Sequence, residues 1–109
     1  MRILGIDPGT AIVGYALVEV GDGDPTIVRH GAITTHKGQP TARRLQTIFE
    51  ELSVVIEESQ PDCVCVEQLF FYNNQKTAMA VAEARGVILL AEELASKTIY
   101  SYPPAQVKL

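Results

Sequence analysis

The 109-residue sequence has no tryptophan, only two cysteines and no apolar run long enough to cross a bilayer. Each scarcity excludes something. A disulfide-stapled secreted scaffold needs more cysteine, and a membrane-spanning helix needs about 20 consecutive apolar residues. Cys63 and Cys65 are two apart in an apolar run, so both point to one face of a strand. That placement suits buried thiols better than a disulfide, and no other soft ligand accompanies them to make a metal site. The N-terminus passes straight from Arg2 into an apolar segment with no signal-peptide cleavage pattern, so a cytoplasmic protein is expected. Positive charge is also in the minority, nine Lys and Arg against thirteen Asp and Glu, for a formal net charge of −4. This argues against a general nucleic-acid coat, which needs clustered cations. It leaves room for an enzyme that holds cations on carboxylates and meets DNA with one local patch.

What is present begins with Met1-Arg-Ile-Leu-Gly-Ile-Asp-Pro-Gly-Thr10. A short apolar run bounded by Gly and Pro reads as a strand buried on both faces in an α/β sheet. Asp7 sits where this strand leaves the sheet, the end at which α/β sheets gather ligands. Pro8 cannot continue a central ladder, and Gly9 allows the positive φ of a tight turn. Asp also caps such turns without further function, so the motif is ambiguous on its own. A second strand, Ile12 to Val20, follows closely enough to form a hairpin. Gly21-Asp-Gly-Asp-Pro25 is a loop, and a third strand runs from about Thr26 to Thr35. His30 and His36 lie in or near it and receive no role. These strands form an antiparallel meander.

After the break Lys37-Gly-Gln-Pro40, Thr41 is the expected N-cap of a helix. Leu45, Ile48, Phe49, Leu52, Val55 and Ile56 fall on one helical face, and Pro61 ends the helix. Pro61-Asp-Cys-Val-Cys-Val-Glu67 then repeats the opening pattern, an apolar run closed by a carboxylate. A strand–helix–strand passage favours a parallel neighbour with a right-handed crossover. Beside the first strand, it brings Glu67 and Asp7 out at one edge, about 4.8 Å apart in strand spacing, within reach of one cation. The pair is far more specific than either acid. Phe70-Phe-Tyr72 follows in a loop beside this edge, where one aromatic is expected to face outward for stacking on unpaired bases and another inward as an anchor. A long helix runs from about Gln75 to Lys97 with Asn74 as its cap. Its apolar residues cover more than one face, so it is expected to meet the sheet on one side and a second subunit on the other, with burial under a later helix as the rival. Thr98 to Tyr102 is a fifth strand. Pro103-Pro-Ala-Gln-Val-Lys-Leu109 looks like the first turn of a further helix, so a truncated chain is expected.

The segments Arg2–Thr10, Gly14-Tyr15, Arg44-Leu45, Pro61-Asp62, Val66-Glu-Gln-Leu-Phe70, Ala84-Arg-Gly86 and Ala105-Gln-Val-Lys108 resemble, in order, the RuvC family of bacterial Holliday-junction resolvases. The resemblance implies one ribonuclease H-like domain over residues 1–109, lacking its C-terminal helices: a mixed five-stranded sheet of three antiparallel strands and then parallel ones, flanked by helices. It implies a bacterial, cytoplasmic, homodimeric Mg²⁺- or Mn²⁺-dependent endonuclease, with two ions per complete site, that cuts four-way DNA junctions symmetrically in recombination and repair. A branch-migration motor is the implied partner. Asp7 and Glu67 match two of four catalytic, metal-holding carboxylates. Phe70 matches an aromatic used against bases near the crossover. Arg44, Asn74 and Lys76 are the further expected DNA contacts, and Met79, Ala82 and Gly86 the expected dimer face. The family's remaining acids lie on a later helix, so these 109 residues alone are expected to bind metal weakly and cut poorly.

Two other readings compete. One is a dimerising, junction-binding fragment with a dead site. The other is an actin-like or sugar-kinase-like nucleotide-binding domain, disfavoured because no second glycine-rich phosphate loop is present and the chain is too short for two lobes.

Overall fold

The computed structural model describes residues 1–9, 11–67 and 75–102, with the backbone alone at 75, 76 and 102. Five strands form one mixed sheet in the order β3-β2-β1-β4-β5. They are β1 (Arg2–Asp7), β2 (Ile12–Glu19), β3 (Thr26–Thr34), β4 (Cys63–Glu67) and β5 (Thr98–Tyr102), with helices α1 (Thr41–Ser59) and α2 (Gln75–Leu94) in the two crossovers. The first three strands pair antiparallel, as the short connections require. β4 and β5 join parallel to their neighbours across the helical connections. The sequence expectation of a meander followed by parallel strands therefore holds.

Alternation decides where the core lies. Leu4 and Ile6 of β1, Val13 and Leu17 of β2, Ile33 of β3 and Val64 and Val66 of β4 are buried on one face. Ile48, Leu52, Val55 and Ile56 of α1 and Ala84, Ile88 and Ala91 of α2 close over them. β1 is thus buried on its helix face only; Ile3 and Gly5 on the other face are half-buried, which corrects the expectation of a strand covered on both sides. Both crossover helices lie over the same face, so alternate residues of the central strand remain accessible. Cys63 and Cys65 are free thiols, as expected, and burial pushes the Cys65 thiol up from its ordinary value.

Three local expectations change. Pro40, not Thr41, is the N-cap of α1. It sits at φ −57° and ψ 146° with no side-chain cap bond, and its carbonyl accepts from the Arg43 and Arg44 amides. The fixed proline φ already suits this entry into the helix. At the other end of α1, Gln60 takes a left-handed φ of 46° and its amide returns to the Ile56 carbonyl, ahead of Pro61. α2 stops at Leu94 rather than Lys97, because Ser96 is left-handed at φ 60° and the Lys97 amide closes back on the Glu92 carbonyl. Its apolar residues are not all covered: Met79, Leu90 and Leu94 are exposed.

Glu92 is the exception in the core. It lies on α2 with no exposed surface, and neither carboxylate oxygen has a hydrogen-bond partner among the described residues. Burial raises its pKa from 4.5 to about 8, against a smaller opposing pull from Arg85. The folded value lies above the unfolded one, so the folded chain holds this proton where the unfolded chain has lost it. Stability from this group is fully present below about pH 4.5 and is lost as pH rises through about 8. Denaturant unfolding from pH 4.5 to 8.5 is expected to show wild type losing on the order of 4 kcal/mol relative to Glu92→Gln, with the two converging at the acidic end. A pH-independent difference between the two proteins would refute this ionisation.

Candidate metal and nucleic-acid site

The β1–β4 register places the two acids. Ile3 pairs with Cys63, Leu4 with Val64, Gly5 with Cys65 and Ile6 with Val66. One step further, Asp7 and Glu67 end their strands side by side. Leu4, Ile6, Val64 and Val66 face the helices, so alternation sends Asp7 and Glu67 to the opposite, open face. Asp7 is exposed and Glu67 half-buried. The strand spacing of about 4.8 Å lets two carboxylates meet one ion.

Glycines shape the surroundings of Asp7. Its cross-strand partner is Gly14, where an added Cβ would make ordinary contact with the Asp7 Cβ at 3.9 Å. Gly9 is required for a reason other than the one read from the sequence. No glycine among the described residues has a positive φ; instead, a Cβ on Gly9 would collide with the Ile12 carbonyl oxygen. The turn is tight because its two arms approach closely. An open groove of about 360 Å³ runs from Asp7 across the sheet and is lined by Gly5, Gly14, Ala16, His30 and Gly31 among others. His30 was given no role in the sequence, yet its register opposite Ala16 brings it to this groove. The signal available was strand alternation, which puts His30 on the same face as Asp7 once β1, β2 and β3 are paired.

Arg44 comes to the same edge. Its Nε donates to the Thr35 hydroxyl at 2.9 Å, and the Thr35 amide donates to the Ala11 carbonyl at 2.9 Å, tying the start of α1 to the loop after Asp7. Met79, Ala82 and Gly86 lie along one exposed stripe of α2, and a Cβ on Gly86 would meet nothing within 4 Å. Phe70 and Asn74 lie outside the described residues, as does the whole aromatic loop; for Lys76 only the helical backbone is described. Among the described residues, no three His, Cys, Asp or Glu side chains cluster to hold a metal. The donor set that is present, two carboxylates at one strand edge, has the oxygen chemistry that Mg²⁺ and Mn²⁺ favour. No helix among the described residues is long and apolar enough to cross a membrane.

The model of the family described as crossover junction endodeoxyribonuclease RuvC matches residues 3–109. The RuvC of Brevibacillus brevis is 49% identical over 108 residues, covering 99% of this chain and 65% of that protein. The RuvC of Fusobacterium nucleatum is 41% identical over 109 residues, covering all of this chain and 57% of that protein. This chain therefore spans less than two thirds of the length of either relative. Among solved structures, Thermus thermophilus RuvC in complex with a Holliday junction substrate superposes with a TM-score of 0.91 at 30% identity, over 99% of this chain and 68% of that one. With its sheet order, its paired strand-end acids and the span of the family match all in agreement, the chain belongs to the RuvC family and has its ribonuclease H-like fold.

Proposed function

We propose that this chain carries half of the catalytic site of a structure-selective endonuclease that resolves four-way DNA junctions by hydrolysing phosphodiesters. The observation that carries the reading is the parallel register that ends β1 and β4 together, with Asp7 and Glu67 on one open face. Asp7 and Glu67 would hold Mg²⁺ or Mn²⁺, which supplies Lewis-acid activation of water and of the scissile phosphate when bound. Two carboxylates give too few oxygens to fix two ions, so the reading assigns further ligands to residues outside those described. Arg44 is linked to the loop after Asp7 through Thr35, which already orients its guanidinium. We assign it a backbone-phosphate contact, with Lys76, Asn74 and Phe70 as the remaining contacts on the junction. The acidic balance of the whole chain fits a protein that meets DNA at this edge alone.

The second part of the proposal is a homodimer built on α2. Met79 and Leu90 are exposed, and Gly86 lies between them on the same stripe with nothing above it. An apolar stripe with a small residue at its middle suits close helix approach, and a twofold pair presents two sites to two opposed strands. Through the family resemblance, the reading extends to a bacterial cytoplasmic location and cooperation with a branch-migration motor.

Cleavage of an end-labelled four-way junction in Mg²⁺, with binding measured separately in Ca²⁺, tests the site. This half-site is expected to cut slowly; Asp7→Asn and Glu67→Gln are each expected to abolish that residual metal-dependent cleavage and to weaken Mn²⁺ binding by at least the roughly 10–100-fold that outer-shell partners of a metal site cost, with junction binding retained. Metal-dependent cleavage that persists in both variants would remove these residues from the site. Competition between junction and equal-length duplex in Ca²⁺ should favour the junction; equal affinity would count against structure-selective recognition. For the dimer, sedimentation should show wild type as a dimer and Gly86→Trp as a monomer with an unchanged unfolding midpoint. A dimer that survives Gly86→Trp would place the contact elsewhere.

A further inference from the structure

The charges of this chain are sorted along the strand axis. At the edge where β1 and β4 end, the β3–α1 corner carries Lys37 and Arg43, both exposed, and the half-buried Arg44. The ion pairs between described residues lie elsewhere, at Met1, Arg2 and Arg29. The opposite end of the sheet and of α1 carries six acids, Glu19, Asp22, Asp24, Glu57, Glu58 and Asp62, against four cations, the N-terminus, Arg2, Arg29 and Lys97. Helix α1 runs between these ends against its own dipole. Arg43 and Arg44 stand in a first turn with no acid, and Glu57 and Glu58 stand in a last turn with no base. Each such placement opposes the helix macrodipole, so helix stability alone would arrange these charges the other way round.

The distribution also sets the field at the corner. The strands are about 20 Å long at their rise per residue, more than twice the screening length of about 8 Å in physiological salt. The far acids are therefore screened from the corner, where three cations outnumber the two carboxylates, Asp7 and Glu67, that end β1 and β4 at the same edge. Arg44 donates its Nε to Thr35, which leaves the two terminal nitrogens of its planar fork for a bidentate oxyanion. Thr35 is in turn tied to the loop after Asp7 through Ala11. The corner and the carboxylate pair thus share one rigid edge.

We propose that Lys37, Arg43 and Arg44 form a contact for the backbone phosphates of a duplex DNA arm that leaves the Asp7–Glu67 edge. The inference rests on the nuclease reading above and extends it from the cut site to the flanking arm. The contact reads charge and spacing rather than bases, so it applies to junction arms and linear duplex alike.

The test is the salt dependence of binding to a four-way junction and to a linear duplex, in Ca²⁺, for wild type, Lys37→Gln/Arg43→Gln and Lys97→Gln. The double variant is expected to lower the slope of log affinity against log salt by about 2 on both DNAs. Lys97→Gln, at the opposite end, should leave the slope as in wild type, and Lys37→Arg/Arg43→Lys should restore it. An unchanged slope in the double variant overturns the inference, as does a wild type that binds neither DNA. Loss of junction preference in wild type, with the slope change intact on duplex, would instead overturn the resolvase reading and leave the corner standing.

Discussion

The parallel pairing of β1 with β4 is the constraint on which the rest depends. Its register is clamped at the end away from the acids. The Arg2 amide donates to the Asp62 carboxylate at 2.7 Å, and the Asp62 amide donates to the Arg2 carbonyl at 2.8 Å. The Arg2 guanidinium reaches the Ser59 carbonyl at the end of α1 and Glu19 at the end of β2. One residue thereby fastens β1, β2, α1 and the approach to β4 together. The clamp matters because strand side chains alternate. A one-residue slip would turn Glu67 toward the helices and leave Asp7 alone on the open face, while exposing Val64 and Val66. The burial of those two valines and the pairing of the two acids are enforced by the same register.

Much of this was legible in the sequence because it follows from local pattern and a chirality rule. The five strands and two helices follow from apolar runs, helical spacing and Gly/Pro punctuation. The pairing of Asp7 with Glu67 needed only the right-handed crossover to place two similar strands side by side. The misread details depended on contacts that no local pattern carries. Gly9 is needed because the turn brings the Ile12 carbonyl close, a distance set by the hairpin as a whole. Pro40 displaced Thr41 as cap because the first intrahelical bonds, from the Arg43 and Arg44 amides, already end on the Pro40 carbonyl. His30 entered the groove through the pairing of three strands, which its own neighbours in sequence do not reveal.

Glu92 was illegible for a different reason. An Ala-Glu-Glu-Leu stretch near a helix end reads as solvated, and Glu93 and Leu94 are indeed exposed. Glu92 turns inward because it stands one turn after Ile88, beside the buried stripe of Ala84, Ile88 and Ala91. An apolar residue there would avoid the cost of an unpartnered buried carboxyl. The same helix leaves Met79, Leu90 and Leu94 in the open. α2 therefore departs from the usual sorting on each side, with one acid beside its buried apolar stripe and three large apolar residues outside. The outer apolar residues were legible as a helix apolar on more than one face, whereas the single inward acid was not, because its neighbours Glu93 and Leu94 are exposed.

Helix α1 joins the clamp to the charged corner. Its 19 residues extend about 28 Å at the α-helical rise. Its last turn is held by Arg2 at the Ser59 carbonyl, and its first turn by the bond from Arg44 to Thr35. Between them, Ile48, Leu52, Val55 and Ile56 pack on the sheet. A helix fixed at both ends and along one face cannot shift lengthwise without breaking either the strand clamp or the seat of Arg44. The cations at its start are therefore held relative to Asp7 by the same contacts that set the β1–β4 register. A substitution at Arg2, at the far end of the sheet from the acids, would loosen both arrangements together.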